Sequence, residues 1–492
     1  MTIYTLLLYI GLAALPFWGL FGIAHAKIKK YEQINYLGWY WQYFVGCLLV
    51  FSGFVKAVDP LGTAYKMKDY FAEFKQQGLP FMDLMIDFKV SFSVVMIIVE
   101  VIIGLFLILG IGNRKTLWIN LLMMLFFTFL TGFNYLTGYT PKEVGIFEMS
   151  KWTAFSDSNI RITDCGCFGD FLKLKPIETF LKDIFLSGVS FYFMLASFRI
   201  KEILPSTPRV RNGIGWTLTA ATAVFCFNNF VWNDAFIDFR PFAEGVNIKK
   251  AKEDCAKDKP ETEMTYFYQN KADNSVKAVA YAEYMKDFKT YGDTSKWRPF
   301  GKLKYNNLAT GEQQSFEPNN LPKDIADTSK WTFASVENRK DKILKEGCNS
   351  KVKEFTQFAE LDDYTQFAEL SKSNGYAFLV TIPDLDKTDL AAIKKIGELC
   401  RDAEKTANVP TYCLYYNVAD KNGNKSKDDE IEAFRQANQL GFYPAFGDEK
   451  LVLTIIRADP GLILFHKGTI IKKWHHKQLP TDFPTLKVQF FK

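Results

Sequence analysis

The chain has 492 residues, enough for two or three domains, and its two halves differ in composition. Apolar runs dominate roughly the first 230 residues, whereas the remainder mixes charged and apolar residues as a soluble domain does. The formal net charge of +6 is small for this length and gives no reason to expect a nucleic-acid partner. The 46 Phe, 10 Trp and 23 Tyr residues favour a membrane protein with aromatic residues at its interfaces.

Six runs have the length of transmembrane helices, since crossing the hydrocarbon layer takes about 20 mostly apolar residues. They lie at residues 2–24, 36–57, 90–111, 116–138, 179–198 and 213–231. The first run is predicted to be a helix and not a signal peptide. It has no basic segment before it, its apolar part is long, and it ends in the basic segment 25–30.

Lys and Arg residues cluster in the short loops after the first, third and fifth predicted helices, namely Lys27, Lys29, Lys30, Arg114, Lys115, Arg199, Lys201, Arg209 and Arg211. The positive-inside rule predicts that these loops are cytoplasmic. The loops 59–89 and 138–178 balance their bases with acids and are predicted to lie outside, together with both termini. We therefore expect a multi-pass protein of the bacterial inner membrane with a periplasmic C-terminal region, in contact with membrane lipid.

The second outer loop contains two cysteines one residue apart, in the sequence Thr163-Asp164-Cys165-Gly166-Cys167-Phe168-Gly169-Asp170. In an oxidising compartment such a pair can form, break or relay a disulfide, and the strain of a small ring would make that disulfide easily reduced. Gly166 permits the turn. Structural disulfides to other cysteines remain the alternative. A metal half-site is less favoured, because no histidine is nearby and Asp164 and Asp170 are hard ligands that match thiolates poorly.

Polar residues within the predicted helices add candidates for a site. Glu100 lies mid-helix, where a carboxylate is costly and usually faces the bundle interior. It is either a proton acceptor for quinone chemistry or a protonated carboxyl bonded to a neighbour, and Cys47 is its expected neighbour by depth, although a lone Cys is more often a packing residue. Lys56 either snorkels to headgroups or binds Asp59 or an anion. Asn134 either lines a site below the CGC loop or bonds between helices.

Three features together resemble the DoxX/MauE family of redox-associated membrane proteins: residues 53–66, the acidic Glu100 in an apolar helix, and the TDCGCFGD loop. The resemblance covers residues 36–198 and implies a four-helix membrane bundle with periplasmic thiols, in a family linked to quinone reduction or disulfide chemistry. The first and sixth helices are additions to this core. The candidate catalytic residues are Cys165, Cys167 and Glu100, and the candidate residues for a bound quinone are Glu100, Asn134 and Lys56.

Residues 232–350 are predicted to form a small β-rich periplasmic segment, with strands near 264–268 and 277–281. Cys255 and Cys348 flank this segment. We expect them to form a disulfide that joins its two ends.

From residue 374 strands and helices alternate, with strands at 376–382, 411–418, 443–446, 461–465 and 469–475 and helices at 389–407, 427–440 and 449–457. This order over residues 352–480, with Pro460 as the expected cis-proline, resembles a thioredoxin fold. A catalytic thioredoxin carries Cys-x-x-Cys where its first core strand meets a helix, but here residues 383–388 contain no cysteine. Cys400 and Cys413 are expected in the core, with a displaced redox pair as the alternative. The domain is expected to bind a partner or cover the CGC loop.

His475 and His476 are expected to point to opposite faces of the last strand. One of them could bind a metal, although paired surface histidines usually do not.

The predicted fold combines an α-helical polytopic membrane domain, with six transmembrane helices around a DoxX-like four-helix bundle, and an external α/β thioredoxin-like domain. Its predicted segments are 1–35, 36–198, 199–231, 232–350 and 351–492. The leading hypothesis is an inner-membrane thiol-disulfide redox protein that exchanges disulfides with a periplasmic protein and passes electrons to or from a membrane quinone. The competing hypothesis is a non-enzymatic membrane-anchored assembly module of an envelope complex. No phosphate loop or hydrolase triad supports another enzyme class.

Overall fold

The computed structural model describes most of residues 2–491 and leaves out 29–35, 143, 154, 163–164, 196–207, 260, 308–312, 317–320, 323, 326, 338, 346, 349, 351–374, 417–427 and 443. Several predicted features lie outside the described residues, including Asp164 of the CGC motif and the loop residues Lys29, Lys30, Arg199 and Lys201. The chain divides into two compact units. Unit 1 comprises residues 1–248 and 357–492, and unit 2 comprises residues 249–356.

The N-terminal part of unit 1 is helical, with α1 Ile3–Ile28, α2 Tyr36–Val58, α3 Pro60–Gln76, α4 Met82–Asp87, α5 Lys89–Leu109, α6 Asn113–Thr137, α7 Pro176–Leu195 and α8 Pro208–Phe227. A single π-helical turn, Asn228–Trp232, continues α8. Within the described residues five helices are long and apolar enough to span a membrane, namely α1, α2, α5, α6 and α8. The chain is therefore a multi-pass membrane protein. The predicted span 179–198 corresponds to α7, whose Glu178, Lys182 and Asp183 set it apart from those five.

The closest packing in the bundle is between α2 and α5, where glycines let the two backbones approach. A Cβ atom on Gly53 would lie 2.5 Å from Val101 Cγ2, and one on Gly104 would lie 2.8 Å from the backbone nitrogen of Val50. No larger side chain fits at either position without displacing the neighbouring helix. These contacts fix the register of α2 against α5 and therefore decide which side chains meet between them.

The predicted outer loop 59–89 is mostly helical. Asp59 caps α3, because its side chain accepts a hydrogen bond of 3.0 Å from the Gly62 amide, and Pro60 occupies the first turn, where it needs no hydrogen-bond partner. Buried apolar residues recur at helical spacing along α3, namely Ala64, Met67, Tyr70, Phe71 and Phe74. This face packs on the bundle, so α3 forms an outer layer instead of a free loop.

The C-terminal part of unit 1 is a mixed α/β region. Its strands β8 Tyr376–Ile382, β9 Thr411–Tyr415, β10 Pro444–Phe446, β11 Gly461–His466 and β12 Thr469–His475 form one sheet in the order β10-β9-β8-β11-β12. The first three strands are mutually parallel, β11 is antiparallel to β8, and β12 is antiparallel to β11. The accompanying helices are α12 Leu390–Ala407, α13 Asp428–Ala437, α14 Glu449–Ile455 and α15 Phe483–Phe490. The last of these was not predicted.

Several smaller predictions for this region can be checked. The Asp459–Pro460 peptide is cis, as predicted. Cys400 and Cys413 are free thiols in the core, each 2% exposed, which confirms their expected role. The prediction for the two histidines was wrong. His475 ends β12 and His476 begins a short turn, so the two rings lie 4.0 Å apart instead of on opposite faces.

The edge of this sheet is covered by the segment that precedes unit 2. The Gly245 amide donates to the Ile470 carbonyl at 2.7 Å, and the Ile248 amide donates to the Gly468 carbonyl at 2.9 Å. Residues 245–248 therefore pair with β12 and hide one of its backbone edges.

Unit 2 consists mainly of β-strands. Its described residues include the helices α9 Ile248–Lys257, α10 Tyr281–Lys286 and α11 Phe288–Gly292 and the strands β1 Glu261–Asn270, β2 Val276–Ala280, β3 Trp297–Pro299, β4 Lys302–Asn307, β5 Gln313–Phe316, β6 Trp331–Glu337 and β7 Arg339–Lys345. One sheet has the order β2-β1-β3 with β7 also paired to β1, and the other has the order β5-β4-β6. Tyr268, Val279 and Tyr291 form a small core. The predicted Cys255–Cys348 disulfide is present, which confirms that pairing.

Candidate functional site

The CGC loop packs against α2, α3 and α6. Cys165 is 9% exposed, Cys167 is partly buried, and both are free thiols. Between them Gly166 adopts a φ of +65°, a left-handed conformation that favours glycine. Gly166 also passes close to α3, because a Cβ atom there would lie 3.1 Å from Lys66 Cγ. The turn therefore needs glycine both for its backbone conformation and for its packing.

Two helices hold the loop through hydrogen bonds. Asn134 of α6 donates to the Ile162 carbonyl at 2.8 Å, accepts from the Ile162 amide at 3.3 Å, and places its Nδ2 3.6 Å from Cys165 Sγ. Ser52 of α2 donates to the Cys167 carbonyl at 2.7 Å. Asn134 therefore binds the CGC loop, and these hydrogen bonds do not join it to another helix, which was the alternative prediction. Ser52 was not identified from the sequence.

Lys56 and Glu100 form a buried ion pair. Lys56 Nζ lies 2.7 Å from Glu100 Oε2, and the two side chains are 4% and 2% exposed. Lys56 therefore neither snorkels to headgroups nor binds Asp59, and both interpretations were wrong. Cys47 was also the wrong neighbour for Glu100, because Gly46 faces Gly104, about one helical turn beyond Glu100. Counting residues from the helix ends gave the wrong register between α2 and α5. In addition, the long side chain of Lys56 reaches back toward the start of α2, because helical side chains tilt toward the N-terminus.

A second buried ion pair lies on α7. Lys182 Nζ contacts Asp183 Oδ1, and Thr131 of α6 donates to Asp183 Oδ2 at 3.1 Å. The side chains of Lys182 and Asp183 are 9% and 1% exposed. Lys182 also lies over the ring of Phe168, the residue that follows the second cysteine, at 5.7 Å from its centroid. This pair was missed, although charged residues within the apolar run 179–198 were the signal that could have revealed it.

One cavity brings these groups together. Its polar lining includes both cysteines and both ion pairs, and its apolar lining includes the side chains of Met96, Met124, Phe127 and Leu130. The cavity volume is about 40 Å³, and a buried water molecule needs about 10–15 Å³. The cavity therefore has room for a few water molecules beside two cations, two carboxylates and two thiols.

A membrane quinone does not fit this cavity. The ring and its substituents need more space than about 40 Å³, and the Lys56 and Glu100 side chains are bonded to each other. Asn134 is already bonded to the loop at Ile162. The predicted quinone contacts of Glu100, Asn134 and Lys56 therefore have no room in this arrangement.

Burial keeps both thiols in the protonated form. It raises the pKa of the Cys165 thiol, against the effect of hydrogen bonds from Tyr70, Asn134 and Thr179. Burial also raises the pKa of the Cys167 thiol to about 12, although the charge of Lys182 opposes this shift. Since the thiolate is the nucleophile, neither cysteine is activated while the loop stays buried.

We expect slow alkylation of Cys165 and Cys167 by iodoacetamide at pH 8 in the folded, reduced protein, with a rate for Cys167 that keeps rising toward pH 12. The reason is that each pH unit below a thiol pKa lowers the thiolate fraction about tenfold. Peptide-resolved mass spectrometry gives the rates, and the denatured chain, in which both thiols have ordinary pKa values, is the control. A rate in the folded protein that levels off near pH 9 would contradict the expectation.

The α/β region lies at the same end of the bundle as the CGC loop. Arg457, which follows α14, binds Asp59 at the start of α3 through its Nε and Nη2 atoms, at 3.0 Å and 2.8 Å. The same guanidinium reaches Asp170, the last residue of the TDCGCFGD motif, at 3.2 Å. Burial alone would raise the pKa of Asp59, but the charges of Arg457 and Arg240 outweigh it and lower that pKa. Asp59 is therefore ionised and bound to the α/β region.

Comparison with known proteins identifies part of the membrane region. Residues 34–142 match the family model for the methylamine utilisation protein MauE. No curated protein and no solved structure matches the chain significantly. The matched residues run from α2 to α6, include Lys56, Glu100 and Asn134, and end before the CGC loop. Residues 34–142 of this chain therefore form a MauE-family membrane domain.

Proposed function

We propose that the protein is a thiol-disulfide exchange protein of the bacterial inner membrane, in which Cys165 and Cys167 react with an envelope protein. The observation that carries this proposal is the shared cavity: two thiols one residue apart line the same internal space as two buried ion pairs. Buried charges in a membrane domain are costly and usually serve a function. Here the two cations can stabilise a thiolate, and the two carboxylates can accept the proton that a thiol loses.

The exchange balances without another cofactor. In one direction the thiolate of one cysteine attacks a partner disulfide, which forms a mixed disulfide and releases one partner thiolate. The second cysteine then attacks the mixed disulfide, which closes the Cys165–Cys167 bond and releases the second partner thiolate. Two electrons pass to the partner, and the two protons that the cysteines lose end on the partner thiols. Lys182, beside Cys167, can stabilise the thiolate, and Asp183 can hold the proton.

We further propose that α7 is a sixth membrane crossing and that the CGC loop and the α/β region are periplasmic. Three polar contacts of α7 with α6 support its place in the bundle: Asn120–Ser190 at 2.7 Å, Thr128–Ser187 at 2.8 Å and Thr131–Asp183 at 3.1 Å. The Lys and Arg residues of the alternate loops support the orientation. In the periplasm the two cysteines would meet an oxidising environment.

The α/β region is proposed to be thioredoxin-like. Support comes from the strand order β9-β8-β11-β12, the helices α12 and α14 between the strands, and the cis-proline before β11. The junction of β8 and α12 has the sequence Pro383-Asp384-Leu385-Asp386-Lys387-Thr388 and holds no cysteine. The region therefore has no Cys-x-x-Cys pair at that junction, and its two free thiols, Cys400 and Cys413, are buried in its core, so the CGC pair is proposed to exchange with a separate protein.

Trapping of mixed disulfides tests the proposal. Cells that carry Cys165→Ser or Cys167→Ser are quenched with acid and alkylated, and one of the two variants is expected to accumulate a disulfide-linked adduct with an envelope protein. In wild-type membranes the CGC peptide should change reversibly between dithiol and disulfide as a glutathione buffer is varied. Cys226→Ser, which removes a buried thiol of α8, is the matched control. The proposal fails if both cysteines stay reduced throughout and neither variant forms an adduct.

A second candidate function is a membrane-anchored assembly module. It is favoured by the missing cysteines at the β8–α12 junction and by the burial of Cys165 and the partial burial of Cys167. Co-purification with the Cys165→Ser/Cys167→Ser variant separates the two candidates. A stoichiometric partner that this variant retains supports the module, whereas its loss supports exchange.

A further inference from the structure

We infer that Arg457 is a positioning residue of the CGC site, and that the α/β region covers the site and must move away before the thiols can meet another protein. The inference deepens the proposed exchange function, on which its second half rests. It assigns the outer surface of α3 and the end of the CGC motif as the docking surface for the α/β region. It also assigns a role to Asp170 of the TDCGCFGD motif, whose carboxylate binds Arg457 and so holds the end of the loop.

The Arg457 contacts carry the first step. Its side chain is 7% exposed, and it binds two carboxylates from different parts of the membrane region, Asp59 at 2.8 Å and Asp170 at 3.2 Å. Its guanidinium also lies over the ring of Tyr65 in α3, at 5.3 Å from the centroid. A planar guanidinium can bind both carboxylates at once, whereas an ammonium group is a single point charge. Arg457 therefore ties the end of the CGC loop to the start of α3.

The surrounding ion pairs define the docking surface. Lys68 of α3 lies 2.5 Å from Glu449 at the start of α14, and Lys450 lies 3.7 Å from Asp69. These flanking pairs are between a quarter and three-fifths exposed, so they add little to stability individually. The buried Arg457 contacts are the strong part of the surface, because removing one partner of a buried pair leaves an uncompensated charge.

The guanidinium of Arg457 packs closely against Gly62 in the first turn of α3. A Cβ atom on Gly62 would lie 3.0 Å from Arg457 Nη2 and 2.7 Å from Asp59 Oδ2. The first turn of α3 is thus shaped to admit the guanidinium. Phe171, the residue directly after the TDCGCFGD motif, packs edge-on against Phe239 with ring centroids 5.2 Å apart, which holds the loop from a second side.

Access follows from this arrangement. Cys165 is 9% exposed, and the cavity that it lines is bounded by residues of the membrane region, so a partner disulfide reaches the attacking sulfur only if the loop itself moves. Release of Arg457 would free Asp170 and with it the C-terminal end of the loop. An exchange partner therefore has to displace the α/β region, and the Arg457 contacts set how often the site opens.

Labelling of the thiols tests the inference in the full-length, reduced protein in nanodiscs. Small N-ethylmaleimide and a maleimide attached to a large polyethylene glycol are reacted in parallel, and labelling at 165 and 167 is quantified by peptide mass spectrometry. Arg457→Met is expected to raise the rate with the bulky reagent about tenfold or more, as the loss of a buried ion pair predicts. The small reagent should respond less, Asp170→Asn should give an intermediate increase, and Arg457→Lys should restore part of the protection.

Lys450→Met is the matched control, because it removes an exposed ion pair of the same surface and should leave both rates unchanged. Near-native melting of each variant shows that the chain has folded, and Asp170→Asn provides a second route if Arg457→Met does not fold. Equal bulky-reagent rates in wild type, Arg457→Met and Asp170→Asn would overturn the inference. Labelling requires no exchange partner, so a positive labelling result with no trapped adduct would overturn the exchange function alone.

Discussion

Replacing Lys56 with methionine is expected to lower the free energy of unfolding of the membrane domain by about 3–5 kcal/mol. The substitution leaves the Glu100 carboxylate 1% exposed and without the ammonium group that lies 2.7 Å away in the native protein. That carboxylate must then keep an uncompensated charge or take up a proton, and both cost free energy. Unfolding in mixed micelles with a rising fraction of denaturing detergent, followed by tryptophan fluorescence, measures the effect.

Two variants control this experiment. Lys56→Met/Glu100→Leu removes both charges and is expected to recover most of the lost stability, because an apolar replacement of a buried pair is often neutral. Lys75→Met breaks the Lys75–Asp83 pair, whose side chains are 50% and 60% exposed, and should change stability by less than about 1 kcal/mol. If Lys56→Met is as stable as wild type, the pair is not desolvated and its assignment to the buried site is wrong.

Removing the Cys255–Cys348 disulfide is expected to destabilise unit 2 by about 4–5 kcal/mol, the value that the chain-entropy model gives for long loops. The two cysteines are 93 positions apart in sequence, so the bond restricts a long loop in the unfolded chain. Unit 2 has a small core, so we expect its stability to depend on that restriction, as the stability of small domains commonly depends on disulfides. Limited proteolysis of Cys255→Ser/Cys348→Ser should show cleavage within residues 249–356 at temperatures where wild type is resistant.

Reductant is the control for the disulfide experiment. Dithiothreitol should make the wild-type unit 2 as sensitive to protease as the double variant, and it should not change the double variant further. Cleavage that is unaffected by both the substitution and the reductant would show that the bond contributes nothing to the stability of unit 2.

Much of the architecture was predictable because it depends on local patterns. Long apolar runs, alternating strands and helices, and the flanking positions of Cys255 and Cys348 each leave a signal within a short stretch of chain. The link between Asn134 and the CGC loop was also within reach, since Asn134 lies in the last turn of α6 and the loop follows that helix. By contrast α3 was missed, although Asp59-Pro60 is a recognisable helix start.

The pairing of charges was not predictable, because it depends on register and long-range docking. The partner of Lys56 follows from the glycine contacts between α2 and α5, which move the register by about one turn from the one that a count of residues gives. The partner of Asp59 is Arg457, 398 positions away in sequence. No local pattern contains that information, and only the folded chain brings these two residues together.

The chain leaves unit 1 immediately after residues 245–248 pair with β12, and it returns to unit 1 at residue 357. Unit 2 is therefore an insert within the sequence of its host. The entropy cost of an inserted loop grows only with the logarithm of its length, by about 0.6 kcal/mol for each doubling. The host can thus carry inserts of very different size at nearly constant stability. An engineer could replace unit 2 by a short linker and keep the membrane and α/β regions on one chain.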